Sequence, residues 1–257
     1  YRRMRDHDEP YDEPTLRKAI ASYYGLISFI DEQVGKVLHA LEDSGVADRT
    51  RILYTTDHGE HLGNHGLWWK RAFYDTAAAV PLIMAGPGIA ASRSRVVTSH
   101  VDLFPTIVET VGAHLTEADH DLPGRSLYSL KPDDRRSAFS EYHGGGSAAG
   151  SYMVRTDRYK YVFYIDGPPQ LFDMMEDPRE TKDLGNSAAH ETVRREHHRM
   201  LEGICNPQSV DRLAKADQAA LLETFGGEEA VLNVPVTSYF PPPDVPPPGQ
   251  SVRANVH

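Results

Sequence analysis

The stretch YTTDHGEHLGNHGLWWK, residues 54–70, sets an aspartate and three histidines directly behind a short β-branched run, then closes with two tryptophans and a lysine. The run itself, TRILYTT at 50–56, is bounded by charge and favours a strand, which puts Asp57 at the strand's carboxyl end. VPLIMAG at 80–86 is a second such run. Ahead of both, Asp12 and Pro14 open a helix whose apolar positions, from Tyr23 through Leu26, Ile30, Val34 and Val37 to Leu41, recur every three or four residues up to Gly45. Helix and strand therefore alternate as they do around a parallel sheet, the pattern of an α/β fold. Ligand sites gather outside the carboxyl ends of such strands, where Asp57 lies.

Beyond this stretch the pattern changes. SHVDLFPTIVETVGA at 99–113 predicts a short helix starting near Asp102. SAFSEYH, SYMVRTD and YKYVFYI are short strands of a small antiparallel sheet, with Thr156–Arg158 as a tight hairpin between the last two. QLFDMMEDPRETKDLG makes a turn-rich return into a charged helix from about Ala188 to Glu202. One more helical stretch follows, and then a tail with FPPPDVPPPG that favours extended polyproline. The expected divisions are 1–135 for the α/β part, 136–203 for the small antiparallel sheet with its helix, and 204–257 for the C-terminal helix and tail.

Composition narrows the function. A chain of 257 residues with 40% hydrophobic content can bury a core. A net charge of −10, with no basic patch, argues against nucleic acid as a partner. No apolar run approaches the length of a membrane span, so no membrane partner is expected. The single cysteine, Cys205, forms no internal disulfide, which leaves the compartment open with a slight lean to the cytoplasm and with the periplasm or secretion as alternatives. The chain opens on YRRMRDHDEP, without an initiator methionine and inside a charged segment, and the expectation is that its start has been cut away.

Chemically, Asp57 is acceptor-only when ionised and His58 offers an imidazole nitrogen, so the two adjacent heads can turn toward one divalent cation. Taken alone, an Asp-His pair is more often a turn with a solvated or hydrogen-bonded histidine. The added density of His61, His65, Gly59 and Gly63, with Lys70 as a point charge suited to an anionic oxygen, favours a site.

The order TTDHGEHLGNHGLWWK, FYDTAAAVPLIMAGPG, SHVDLFPTIVETVGA resembles the C-terminal half of the sulfatase family in the alkaline phosphatase superfamily, particularly choline sulfatases and their relatives. The likeness runs from about Ser22 to Gly185. It implies part of an alkaline-phosphatase-like mixed sheet flanked by helices, plus the small antiparallel sheet and an extended tail. It also implies Asp57 and His58 as ligands of one divalent cation, calcium foremost, with magnesium or manganese as alternatives. Lys70, thirteen residues on from Asp57, would be the catalytic and sulfate-binding residue. His65 joins it as a substrate-binding candidate. Glu141 and His143, in SEYHGGGS, would bind the substrate's cationic end as a similar Glu-Tyr-His segment does in choline sulfatases; a carboxylate among aromatics suits a quaternary ammonium. Glu141 has an equally plain reading as a strand-end carboxylate in water. His100 could line the same cleft but reads more simply as a loop histidine.

The implied substrate is a small sulfate ester such as choline sulfate. A phosphonate or phosphate ester hydrolase is the near alternative, and a non-catalytic binding or assembly module the distant one. The family's formylglycine, made from Cys or Ser in a Cys-x-Pro-x-Arg motif, is expected outside this chain. CNPQS at 205–209 has the Cys-x-Pro spacing but Ser209 in place of the arginine, so Cys205 reads as a structural or surface thiol. The tail implies a homo-oligomer in which it reaches a neighbouring subunit; a mass unchanged on deleting 235–257 would exclude that. The aromatic stripe Tyr152, Tyr159, Tyr161, Phe163 and Tyr164 reads as sheet packing, MEDPRETKD as a solvated turn, and RREHHR as an exposed helix face.

Overall fold

The computed structural model describes residues 12–144 and 147–232. The proline-rich tail and the first residues, on which the expectations of an oligomer contact and of a cut start rest, lie outside them.

The opening helix forms as its capping residues dictate. α1 spans Glu13–Asp43, with the Asp12 side chain accepting the Thr15 N–H and Pro14 in the first turn, where its missing donor costs nothing. Much of its apolar stripe stays exposed among the described residues, Leu26 at 62% and Val37 at 69%, while Tyr23, Val34 and Leu41 are half-buried. β1 (Ile52–Thr55) pairs with β2 (Leu82–Ala85), Leu53 opposite Met84. The pairing is antiparallel, which corrects the parallel arrangement that the alternation implied. Between the two strands lies a long loop whose one α-helical element is the single turn α2, Asp75–Ala78. A parallel crossover needs a full helix to carry the chain back across the sheet, and this loop instead returns it alongside β1.

α3, Leu103–Thr110, starts directly after a 3₁₀ turn at His100–Asp102 that is closed by a capping box between Ser99 and Asp102. Asp102 is fully buried and accepts four hydrogen bonds, from the Ser99 and Arg125 backbone N–H groups and a bidentate Arg136 guanidinium at 2.7 and 2.9 Å. Burial pushes its carboxyl up, but Arg136 and the two N–H donors outweigh that and hold it below the ordinary carboxylate range.

The C-terminal sheet is an antiparallel meander of β3 (Ala138–Tyr142), β4 (Ser151–Arg155), β5 (Tyr159–Tyr164) and β6 (Gln170–Asp173), in that order. Thr156 closes the β4–β5 hairpin by donating its N–H to the Tyr159 carbonyl at 2.9 Å. Strand alternation divides the faces. One face, with Tyr152, Val154, Tyr161 and Leu171, packs with Leu184 and with Leu201 of α4 (Glu191–Ile204) into the hydrophobic core, while α5 (Pro207–Thr224) and α6 (Glu228–Leu232) follow. Tyr152, Tyr159, Tyr161 and Phe163 of the aromatic stripe are thus sheet packing as expected, whereas Tyr164 leaves β5 on the opposite face and borders a cleft there. That face, with Met153, Arg155 and Lys160, lines the cleft, whose other wall is the 70–80 segment.

Two plain readings of charged segments need correction. Glu180, in the supposedly solvated turn, is 4% exposed, and His197, on the supposedly exposed face of α4, is also 4% exposed. Each is buried because a partner waits for it: Lys160 for Glu180 and the Thr156 hydroxyl, at 3.1 Å, for His197.

Candidate functional site

The loop leaving β1 folds back on itself by backbone and carboxylate hydrogen bonds. The His61 N–H donates to the Trp69 carbonyl at 2.9 Å, and Glu60 Oε1 accepts the N–H groups of Leu62 and Trp69 at 3.1 and 2.6 Å. Leu62, His65 and Trp69 all adopt positive φ to close this loop, a cost of roughly 1 kcal/mol or more at each that only a fixed surrounding sustains. The closure returns Lys70 to the strand end it left, with Nζ 2.5 Å from His58 Nε2.

The partners of His58 define its tautomer. Nδ1 lies 2.8 Å from the Gly59 carbonyl, which can only accept, so Nδ1 carries the proton and Nε2 presents a lone pair. Asp57 Oδ2 is 3.3 Å from that same Nε2, and its side chain is 80% exposed. Slight burial pushes the Asp57 carboxyl up, but His58, the Thr56 hydroxyl and the His58 N–H together hold it below the usual carboxylate value, ionised at neutral pH. An imidazole lone pair and a carboxylate side by side are donors that a divalent cation accepts. They fit such an ion as part of a ligand set. Among the described residues no third His, Cys, Asp or Glu completes a cluster with them, whereas calcium takes roughly six to eight oxygens.

Asp57, His58 and Lys70 border a cleft of about 680 Å³, together with Arg95, His100 and Arg155. That volume suits a small organic ligand. His100 donates from Nε2 to the Thr56 carbonyl at 2.8 Å, which fixes it at the same strand end. Gly59 is needed here for close approach: a Cβ would lie 2.2 Å from the Thr76 carbonyl oxygen.

Comparison with known proteins gives this geometry its context. The sulfatase family model matches residues 1–113, and the model described as N-sulphoglucosamine sulphohydrolase, C-terminal, matches 63–206. The chain belongs to the sulfatase family. It is 36% identical over 177 residues to the choline-sulfatase of Rhizobium meliloti, covering 68% of this chain and 35% of that protein. The structure of a putative sulfatase from Bacteroides thetaiotaomicron superposes with a TM-score of 0.72 at 29% identity, over 79% of this chain and 46% of that one. The phosphonate monoester hydrolase of Agrobacterium radiobacter superposes with a TM-score of 0.61 at 29% identity, over 70% and 40% of the two chains. This sulfatase chain thus spans about a third of the length of the curated relative it matches.

Of the remaining candidates of this sulfatase chain, Glu141 shares the cleft of the Asp57–His58–Lys70 group, and His65 and His143 do not. His65 stacks on Tyr74, ring centroids 3.8 Å apart, and does not border the cleft. Glu141 borders it, yet pairs in register with Tyr152, so its side chain leaves β3 on the core face. There its Oε2 sits 3.6 Å from His143 Nε2, with Asp211 of α5 on the ring's other side at 4.0 Å. His143 packs edge-on against Tyr152 and is not part of the cleft lining. Cys205 packs against the hydrophobic core, where burial and then Glu141 push its thiol pKa up. Arg95, Arg155 and Lys160 border the cleft and were not foreseen as site residues. For Lys160 a signal existed, a lysine inside the apolar run YKYVFY, where only a buried partner would keep it.

Proposed function

We propose that this chain supplies the C-terminal part of a sulfate-ester hydrolase site, with Asp57 and His58 as cation ligands and Lys70 as the group that binds the sulfate. The observation that carries the reading is the convergence of Lys70 Nζ on His58 Nε2 at 2.5 Å beside an ionised Asp57. As the ester C–O–S linkage breaks, negative charge grows on the bridging and sulfuryl oxygens, and a fixed ammonium lowers the energy of that charge where it develops. A divalent cation held by Asp57 and His58, calcium foremost, would add Lewis acidity at the same oxygens. His58 presents its Nε2 lone pair because its Nδ1 proton is committed to Gly59; that lone pair meets Lys70 Nζ in this structure, so ligating a cation would take the place of that contact. The formylglycine nucleophile comes from polypeptide outside these residues. The substrate is a small alkyl or aryl sulfate such as choline sulfate.

A panel of sulfate and phosphonate monoesters tests this with the intact enzyme. Preferred turnover of sulfate esters, lost in Lys70→Ala, is expected. Similarity to the phosphonate monoester hydrolase favours the second reading, and a preference for phosphonates would install it in place of the first.

A further inference from the structure

Lys160 sits mid-sheet with 1% of its surface exposed, and all three protons of its ammonium are committed. They go to the Phe73 carbonyl at 2.8 Å, the Glu180 carboxylate at 2.7 Å and the Asp75 carboxylate. Glu180 uses its other oxygen to accept the Asp75 backbone N–H at 2.6 Å. To reach both, Glu180 holds φ at +56°, a left-handed conformation that a residue with a side chain keeps only where its surroundings fix it. One lysine against two carboxylates leaves excess negative charge. Arg155, opposite Lys160 in the β4–β5 register, offsets it: burial pushes its guanidinium pKa down, while Asp75 and Glu180 attract its charge and push the pKa back up.

Two short paths lead from this node to the candidate site. Phe73 is three residues from Lys70. Asp75 opens α2, whose Ala77 carbonyl accepts the Gly59 N–H at 2.8 Å, one residue from His58. Because Gly59 already touches the Thr76 carbonyl within what a Cβ would need, α2 has no room to move toward β1 without displacing His58.

We propose that Lys160 is a positioning residue: through Phe73, Asp75 and Glu180 it pins the 70–77 segment to the C-terminal sheet and so holds Lys70 against His58 at the border of the cleft. The proposal rests on the sulfate-ester reading of Lys70, and it adds to that reading a residue far along the chain that touches no substrate.

The test uses the intact enzyme and two variants. Lys160→Met removes the ammonium; Glu180→Gln keeps the shape but only one of the two acceptor oxygens that hold Lys160 and the Asp75 N–H, and it carries the test if the first variant does not fold. Amide hydrogen exchange is followed over 58–77 and over the core strands at 151–173, alongside kcat and KM for 4-nitrophenyl sulfate. Exchange in 58–77 is expected to speed up by roughly tenfold while the core strands keep their protection. At the same time kcat should fall by roughly 10²-fold with KM little changed, the signature of a displaced transition-state group. Unchanged exchange in 58–77, or equal loosening of both regions, overturns the proposal. So does an unchanged kcat when Lys70→Ala abolishes turnover. If Lys70→Ala itself retains turnover, the sulfate-ester reading fails first, and the proposal falls with it.

Discussion

Lys70 Nζ lies 2.5 Å from His58 Nε2 although twelve residues separate them. The contact exists because Glu60 and His61 cross the base of the loop to Trp69 and return the chain to the strand it left. The same loop stores backbone strain at Leu62, His65 and Trp69. Strain sustained next to a cation-and-anion pair is a cost that stability alone would not select.

Lys70 is more than a third exposed, so its removal should leave folding intact and act on chemistry alone. Lys70→Ala is expected to lower kcat for a sulfate ester by roughly 10²- to 10³-fold, as loss of one oxyanion donor does. Steady-state kinetics with a parallel thermal melt check it; a variant that keeps wild-type kcat would remove Lys70 from the mechanism.

Chelation should act through Asp57 and His58. Activity of the intact enzyme is expected to fall on treatment with a chelator and to return on adding calcium. Asp57→Ala should raise the calcium concentration needed for half-maximal turnover by about tenfold or more, because one charged ligand is lost from a site tuned by ligand charge. Activity indifferent to both treatments would show that the pair binds no essential cation.

The sequence made the periodic parts of this fold legible. The α1 stripe, the strand alternation of 138–165 and the helix start at Asp102 each follow from local spacing and capping, and each formed where expected. Strand direction did not, since an apolar run such as VPLIMAG reads the same in parallel and antiparallel pairs; only the lack of a crossover helix in 56–81 could have told them apart. Of the site, Asp57, His58 and Lys70 were visible because they share one loop. The Lys160–Asp75–Glu180 cluster was not, because it is assembled from three separate segments: Lys160 inside YKYVFY carried a signal of burial, but Asp75 and Glu180 each look solvated alone. Glu141, whose neighbours in sequence suggested a ligand, borders the cleft with its side chain 41% exposed, although its register opposite Tyr152 places it on the core side of β3.

Asp102 should govern acid stability in the first part of the chain. Its carboxyl is held below its unfolded value, so the stabilisation is present above the ordinary aspartate pKa, near 4, and is lost as pH falls through the lower folded value. Asp102→Asn leaves the buried Arg136 guanidinium without its counter-charge and is expected to cost about 3 kcal/mol near pH 7. The difference from wild type should start to shrink below about pH 4, where the unfolded chain's carboxyl protonates, and close as pH falls past the lower native value. Denaturant melts of both proteins at neutral and acid pH measure this; a pH-independent difference would mean that Arg136 is not bound through the charge of Asp102.

Cys205 gives the last prediction. It follows α4 directly, packs on the Tyr152–Leu201 core, and carries a thiol made less acidic by burial and by Glu141. A nucleophile or a formylglycine precursor has to reach the substrate, and this side chain belongs to the face of the sheet opposite the cleft, which it does not border. Cys205→Ser is therefore expected to leave kcat and KM for sulfate esters unchanged while lowering stability by about 1 kcal/mol, since a hydroxyl replaces a thiol in apolar packing. Thiol alkylation of the native enzyme should be slow and should accelerate on unfolding. Loss of turnover in Cys205→Ser with the melt unchanged would place chemistry on the core side of the sheet and remove the Asp57–His58–Lys70 cleft from the reaction.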